Sequence, residues 1–475
     1  MTRDTEIVTF PREIEAAAHL PAENVPLTLL CLAGPIIATM ISHTVMSFVD
    51  FVMVSTLGTQ AQAAIAPAGI LVWLLLCFGV GVLGSVNTFV SQSLGRGRLS
   101  DCSGYAWQGV HLALLLSVLL LPCWWLIDPI LKLADHAPRV MALEDAYIKP
   151  RLVGLFPIIA SVSLANFFNG IHRPSMQLIA VVVANVFNFL ANYALIFGHF
   201  GFPAMGIAGA AWATVAASAF HVLMLFGFLL HPHFARTYGS WRTWRIDWPK
   251  ISRLVWFGLP IGLYSVAEVS GWTFFTFFLI GQFGTVQLAA NNVCFKFNEI
   301  SFMPAVGLSI ALSAAVGKAI GRRDLALARR YVRWGLGFSV GYMSLIGMNF
   351  AFWRGTLIGL LSEDPQVIAW GGRIMLCMAV FQFFDAFHLT YSGALRGAGD
   401  THWPAYAGIA LSLVFLIGGG VAVTRFFPEV QSVGPWIMAA VFIVILGIVM
   451  SLRYWGGRWE GMEILEKDIV DPVMA

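Results

Sequence analysis

Charge is scarce in this sequence. Asp, Glu, Lys and Arg together supply 11% of its 475 residues, where ordinary soluble domains carry about 25%. The few charges fall in short islands between long apolar runs, and hydrophobic residues reach 58%, with a mean hydropathy of +0.78. That balance excludes the soluble protein of two or three domains that length alone would suggest. Cysteine is thin as well. The six cysteines (Cys31, Cys77, Cys102, Cys123, Cys294 and Cys377) are scattered, with no C-x-x-C or finger spacing. Neither a disulfide framework nor a metal site is indicated. No G-x-x-x-x-G-K-[ST] occurs, which removes ATP hydrolysis by this chain as a source of energy. The opening "MTRDTEIVTFPREIEAAAHLPAEN" is polar and charged. It lacks the apolar core of a signal peptide and reads as a short cytoplasmic extension.

What the sequence does hold is apolar runs long enough to cross a bilayer, which takes roughly 20 residues each. Twelve qualify, with soft boundaries: 27–56, 64–91, 107–127, 147–170, 177–198, 204–230, 253–280, 286–316, 333–361, 367–393, 404–424 and 434–454. They are too long for barrel strands, and backbone groups in lipid must be satisfied internally, so the expected fold is an all-α polytopic membrane protein. The 46 glycines and 21 prolines fall often inside these runs, as membrane helices tolerate. With the N-terminus inside, the inner segments carry 20 Lys and Arg and the outer segments 7, with Lys296 inside a span. That excess favours both termini in the cytoplasm. The net charge of +3 then calls for no nucleic acid.

The chain also repeats itself. "LGTQAQAAIAPAGILVWLLLCFGVGVLGSVNTFVSQSLGRGRLS" (57–100) aligns without gaps to "FGTVQLAANNVCFKFNEISFMPAVGLSIALSAAVGKAIGRRDLA" (283–326), an offset of 226 that pairs Gly58 with Gly284, Gly81 with Gly307 and Gly95 with Gly321. Pro35 and Pro260 fall one residue off that register. A unit of six spans returns to its starting side, so the two halves must be parallel and related by a pseudo-two-fold axis along the membrane normal. The expected organisation is a cytoplasmic extension (1–25), an N-lobe (26–231), a cytoplasmic linker (232–252), a C-lobe (253–455) and a cytoplasmic tail (456–475). Two such lobes facing a central cavity suit alternating access.

Several motifs have plain structural explanations. "GVGVLG" (Gly79 to Gly84) matches G-x-G-x-x-G but lies inside an apolar span with no strand before it, so it reads as helix packing and not as a dinucleotide site. "HPHF" (His231 to Phe234) sits at a membrane–water junction beside a proline and reads as an interfacial loop. The ionisable residues inside spans matter more. A charge in the bilayer core costs at least about 2.5–3.5 kcal/mol on insertion scales and usually faces a cavity. The candidates are Asp50, Glu268, Lys296, Glu299 and Asp385, with Asn185, Asn188 and Asn192 forming a polar stripe at spacings of three and four. A carboxylate withheld from water can hold a proton, a Na+ or a cationic compound, one at a time. Lys296 and Glu299 are three apart on one helical face and can neutralise each other, or Lys296 can approach Glu268 or Asp385.

"FVDFVMVSTLG", "VSQSLGRGR", "FGLPIGLYSVAEV", "GLSIALSAAVGKAIGRRD" and "GALRGAGDTHWP" together resemble the multidrug and toxic compound extrusion (MATE) transporters of the bacterial NorM type. The resemblance runs from about residue 26 to 455. It implies a secondary active efflux antiporter of the bacterial inner membrane, exporting cationic or amphipathic drugs or metabolites in exchange for H+ or Na+. It implies no further cofactor, lipid as surroundings, and a monomer. Asp50 matches the family's acid in the first helix, with Asn188, Asn192 and Thr214 (in "GAAWATV") aligning with polar members of that site. In some members the position of Asn192 is an aspartate. Glu268 and Asp385 match the acids of the seventh and tenth helices, where a Na+ would sit if Na+ is the coupling ion. Two departures weigh against Na+ there: Phe381 replaces an expected tyrosine, and Lys296 and Glu299 stand where the family usually has neutral residues.

Other functions make different demands. A lipid-linked oligosaccharide flippase of the same superfamily would line its cavity with cations for pyrophosphate, and Lys296 points that way. An intramembrane enzyme such as an acyltransferase would need a His beside a carboxylate. Among His43, His111 and His388, only His388 has an acid nearby at helical spacing, Asp385. A receptor or scaffold would leave the intramembrane acids without a role.

Overall fold

The computed structural model describes residues 24–133, 137–462 and 464–465. The expected extension up to residue 23 and the tail beyond 465 lie outside the described residues. Among those residues the chain is helical throughout, with no strand.

The first half comprises α1 (Val25–Ser55), α2 (Thr59–Gly95), α3 (Leu99–Leu120), α4 (Cys123–Leu133), α5 (Pro138–Val153), α6 (Leu155–Gly170), α7 (Pro174–Phe197) and α8 (Ile207–Leu230). A short α9 (Pro232–Tyr238) opens the linker, so "HPHF" enters a helical turn where a loop was expected. The second half comprises α10 (Trp248–Phe274), α11 (Thr285–Gly321), α12 (Leu325–Phe352), α13 (Arg354–Gly359), α14 (Pro365–Ala398), α15 (His402–Leu411), α16 (Gly420–Phe426) and α17 (Val433–Trp455). Several starts are fixed locally. Asp247 accepts from Lys250 N at 3.2 Å with Pro249 in the first turn of α10. Asp324 and Asp364 cap α12 and α14 in the same way. Each aspartate satisfies an amide that a helix start leaves without a partner.

The repeat is visible in the coordinates. α2 and α11 are each 37 residues long and start and end at the same offset of 226. Each is preceded by a glycine with a nearly identical backbone, Gly58 at φ 106°, ψ 171° and Gly284 at φ 93°, ψ 174°. That region of positive φ is open to glycine and strained for other residues. The register change between Pro260 (offset 225) and Gly284 (offset 226) falls where the helix after α10 takes a π-helical path, Phe275–Ile280. A π-turn is how a helix absorbs one extra residue. A second π segment, Ser412–Gly419, joins α15 to α16.

Three expected spans have a different form. The run 147–170 is part of a bent pair: α5 and α6 meet at Gly154 with a 52° bend, so the crossing begins at Pro138. The run 107–127 stops at Leu120, because Pro122 follows and the chain restarts as α4. The run 333–361 ends at Phe352 and continues as the short α13. Among the described residues, eleven helices are long and apolar enough to cross a membrane, twelve with the bent pair as one.

Each half builds its own core. One gathers Phe89, Leu112, Leu155, Phe167 and Leu225, and the other Phe275, Leu312, Met378, Trp436 and Leu446. The first helix of each half crosses over: Leu29 and Ile36 of α1 join the second core, and Leu254 of α10 joins the first. The halves meet where α2 packs on α10, α1 on α11, and α2 on α11. Gly81 lies against Gly262, and its counterpart Gly307 lies against Ile37. The tightest contact is at the ends of α2 and α11. A Cβ built at Gly95 would sit 2.8 Å from Gly321 Cα, and one at Gly321 would sit 2.9 Å from Gly95 Cα. Hydrogen bonds reinforce this end: Asn87 Nδ2 to Ile310 O (3.3 Å), Thr88 Oγ1 to Arg396 O (2.9 Å) and Gln92 Nε2 to Gly397 O (2.9 Å). The linker is held on the same side, where Trp107 Nε1 donates to Ser240 O (2.9 Å) and Gln108 Nε2 to Arg245 O (2.8 Å).

Toward the Gly58 and Gly284 ends the halves separate. α1 is buried at intervals from Val25 to Thr39, then largely exposed from Ile41 to Val52. The contacts between the halves named above fall from Gly81 to Gly95 on α2 and from Gly307 to Gly321 on α11, so a cleft between the halves is closed at the Gly95–Gly321 end and opens toward Gly58 and Gly284.

Candidate functional site

Polar residues concentrate at two places, one in each lobe. In the first, α1 carries Asp50 and α7 carries Asn188 and Asn192 one turn apart. Asn192 Nδ2 donates to Asp50 Oδ1 at 2.6 Å and to Asn188 Oδ1 at 2.9 Å. Both asparagines are fully enclosed, at 1% and 0% exposure, while Asp50 is half-buried. Asn192 Oδ1 and Asn188 Nδ2 have no hydrogen-bond partner among the described residues, so the cluster retains one acceptor and one donor for a further group. Arg151, in the last turn of α5 before the bend, lies within electrostatic reach of Asp50. Thr214 of α8 is buried, but its hydroxyl donates to Ala210 O of its own helix at 2.9 Å and not to the cluster. Asn185 is also apart from Asp50, donating to Ser42 Oγ (2.7 Å) and Ser42 O (3.0 Å).

In the second lobe, α14 carries Asp385 and His388 on one face, with His388 Nδ1 and Asp385 Oδ1 3.0 Å apart and both side chains enclosed. Glu268 of α10 is half-buried and within electrostatic reach of Asp385, His388 and Arg396. Arg396 donates to Ser309 Oγ at 3.3 Å, and its Nε has no hydrogen-bond partner among the described residues. Two carboxylates and one guanidinium are one positive charge short of neutrality. Enclosed clusters favour neutrality, because an uncompensated charge away from water is expensive. A single proton supplies that charge, and so would a monovalent cation. Gln382 sits one turn from Asp385 and donates to Asn298 Oδ1 (3.2 Å) and Ser301 Oγ (3.1 Å). Phe381 is buried and stacks on Trp436, ring centroids 6.3 Å apart and 4° from parallel. It fills the aromatic core and brings no hydroxyl to the site.

Lys296 and Glu299 stand apart from both clusters. Their charged groups pair at 3.1 Å, with side chains 71% and 38% exposed. Lys296 belongs to an exposed stripe on the first half of α11 (Thr285, Ala289, Asn292, Lys296 and Ile300), with Glu299 at its edge. The equivalent stripe on α2 includes Ala63, Ala66 and Ile70, with Trp73 beside it. The two stripes flank the cleft, so one wall is apolar and the other bears an ion pair.

Three groups near these clusters were not expected from the sequence. Arg151 counts there as an outer cation, yet it lies in the last turn of α5 within electrostatic reach of Asp50. Arg396 counts as a loop cation, yet α14 runs unbroken to Ala398 and ends at Gly399 in the left-handed region. Asp385, His388 and Arg396 are then three and eleven residues apart on one face, a spacing readable once the run is extended to Gly399. His388 is noticed in the sequence only as a partner for an enzyme mechanism.

Two six-helix lobes from one duplication, a cleft open at one end, and acids within the spans of both lobes define a secondary transporter. The chain belongs to the MatE family, whose model matches residues 35–194 and 260–420. The probable multidrug resistance protein NorM of Rhizobium meliloti (strain 1021) is 32% identical over 411 residues, spanning 83% of this chain and 88% of that protein. The multidrug resistance protein PmpM of Pseudomonas aeruginosa is 31% identical over 439 residues, 90% of each chain. Among solved structures, the eukaryotic MATE transporter AtDTX14 superposes with a TM-score of 0.83 at 19% identity, covering 92% of this chain and 96% of that one.

Proposed function

We propose that this chain is a multidrug efflux antiporter that exchanges protons for cationic or amphipathic compounds by alternating access. It is a multi-pass membrane protein and not an enzyme. In our reading it lies in the bacterial inner membrane with both termini cytoplasmic, which puts the closed Gly95–Gly321 end inside and the open end outside. The lobes divide at the linker, 26–231 from 253–455. The conformation described is then the outward-open one. A compound in the cleft meets the exposed rings of Phe48, Phe51 and Trp73, which attract a cation through their faces.

The observation that carries proton coupling is the pairing of Asp385 with His388 beside Glu268 and Arg396. Na+ is a hard cation that prefers a cage of oxygens. Here one carboxylate oxygen is already engaged by an imidazole nitrogen, and a guanidinium stands near. A proton entering from the open end neutralises this cluster, which removes the charge that would hold a cationic drug. Asp50, with its Asn192 and Asn188 partners, offers the N-lobe an equivalent choice between proton and drug. The flippase alternative rested on Lys296, and that cation is engaged by Glu299.

The test is ethidium efflux by Asp50→Asn and Asp385→Asn. Each should abolish proton-driven efflux with expression intact, and near-normal efflux in both would overturn the mechanism.

A further inference from the structure

The N-lobe holds a second tier of polar residues that the exchange described above does not use. On α1, His43 precedes Asp50 by seven residues, and on α7 Asn185 precedes Asn192 by seven. On α8, which crosses in the opposite sense, His221 follows Thr214 by seven. Seven residues are about two helical turns, about 10 Å of rise. Each lower residue therefore lies on the same face as the upper one, displaced toward the closed end of the cleft. The tiers are each tied across helices, the upper by Asn192 to Asp50 and the lower by Asn185 to Ser42, the neighbour of His43.

His221 is 8% exposed, and its Nε2 has no hydrogen-bond partner among the described residues. A histidine kept only for packing would have its ring nitrogens satisfied. His43 lies within electrostatic reach of it and is itself exposed. Between the tiers Ser218 presents a hydroxyl, which donates to Thr214 O at 2.8 Å. Below them, Gln177 sits eight residues before Asn185, buried, with Oε1 also lacking a partner among the described residues. Asn192 Oδ1, His221 Nε2 and Gln177 Oε1 thus mark one polar seam from Asp50 toward the closed end.

We infer that His43 and His221 form a second proton-carrying station in the N-lobe, passing protons between Asp50 and the closed end of the cleft. The transfer balances without a further reactant. A proton leaving the Asp50 carboxyl is taken by the lone pair of one imidazole nitrogen, through Ser218 or a water. The proton on the other ring nitrogen passes to a water molecule that donates a hydrogen bond to Gln177 Oε1 and leaves through water at the closed end, and the ring ends neutral in its other tautomer, ready to reset. The surroundings favour this use. Of the helices packed against α8, α6 has no ionisable side chain and α7 has only Tyr193. α1 brings Cys31, His43 and Asp50, while α5 brings Arg139, Glu144, Asp145, Tyr147, Lys149 and Arg151 at the Asp50 level and beyond. The short α9 carries His233, Arg236 and Tyr238 about three turns or more from His221. Among the described residues of the helices packed against α8, no lysine or arginine falls between the two tiers.

The inference rests on the proton-coupled reading, and the test separates the two. The full chain is reconstituted in liposomes, and two rates are read: ethidium transport driven by an imposed ΔpH, and ethidium counterflow, which needs no net proton movement. If the wild-type chain shows no ΔpH-driven transport, the coupling reading fails first and the station with it. If the wild type is driven, His221→Gln and His43→Gln should each lose tenfold or more of the driven rate, with counterflow within twofold. His221→Glu, which restores a titrating group, should recover part of the loss. The station is overturned if both glutamine variants keep the driven rate within twofold, or if counterflow falls in parallel. Should His221→Gln fail to fold, His43→Gln at its exposed position decides the matter alone.

Discussion

A methyl group added at Gly321 should shift the balance between the two conformations of the cleft. Its Cβ would lie 2.9 Å from Gly95 Cα and against Gln92 O. Gln92 O is the nearer of the two and non-bonded heavy atoms rest at about 3.5–4.0 Å, so the ends of α2 and α11 would have to part by about 1 Å or more. Overpacking of this kind costs about 1–3 kcal/mol. The cost applies only while these ends touch, because in the alternate conformation the lobes separate there. At 1.4 kcal/mol per tenfold, Gly321→Ala should move the ratio of open-outside to open-inside molecules by about 5- to 150-fold toward open-inside. Spin labels at Thr59 and Thr285, equivalent positions at the open end, would report this in a background with the native cysteines replaced. The distance distribution should gain a shorter population. Gly337→Ala, where a Cβ meets nothing within 4 Å, should leave it unchanged. An unaltered distribution in folded Gly321→Ala protein would refute the claim that the lobes rock about this contact.

Two further outcomes follow from the cleft and the C-lobe cluster. His388→Gln keeps a donor beside Asp385 but removes the titrating ring. It should lower proton-driven efflux tenfold or more while drug affinity by equilibrium dialysis changes less than threefold, and equal losses would reduce His388 to a helix prop. The Lys296–Glu299 pair is largely exposed and should contribute no more than about 1 kcal/mol to stability. Lys296→Gln should therefore leave folding intact, but it frees an anion beside the cleft. Cationic drugs should then bind about three- to tenfold more tightly, at about 1 kcal/mol of Coulomb attraction near 4 Å in water. Unchanged or weaker binding would place the pair away from the drug.

The parts of this structure readable from the sequence are those carried by local chemistry. Hydropathy alone locates the spans, and the shared offset of Gly58 with Gly284 and Gly95 with Gly321 locates the duplication, because each glycine answers a backbone need met twice. The Asp50–Asn192 contact follows from a polar stripe on a neighbouring helix with nothing else to face. The bend at Gly154 and the π-turn at Phe275–Ile280 were not readable. Both arise from how helices pack across the lobe, and only the π-turn leaves a trace in the sequence, the one-residue slip between Pro260 and Gly284. Arg151 and Arg396 were missed for the same reason. Each reads as a flanking cation, yet each lies within a helix that extends beyond the apolar run, Pro138–Val153 for Arg151 and Pro365–Ala398 for Arg396.

The most direct test of the account is transport by the purified chain in liposomes with ΔpH and ΔpNa imposed separately. The account predicts uphill movement of ethidium on ΔpH alone, lost in Asp385→Asn, and none on ΔpNa alone. Transport driven by a Na+ gradient at constant pH would contradict it.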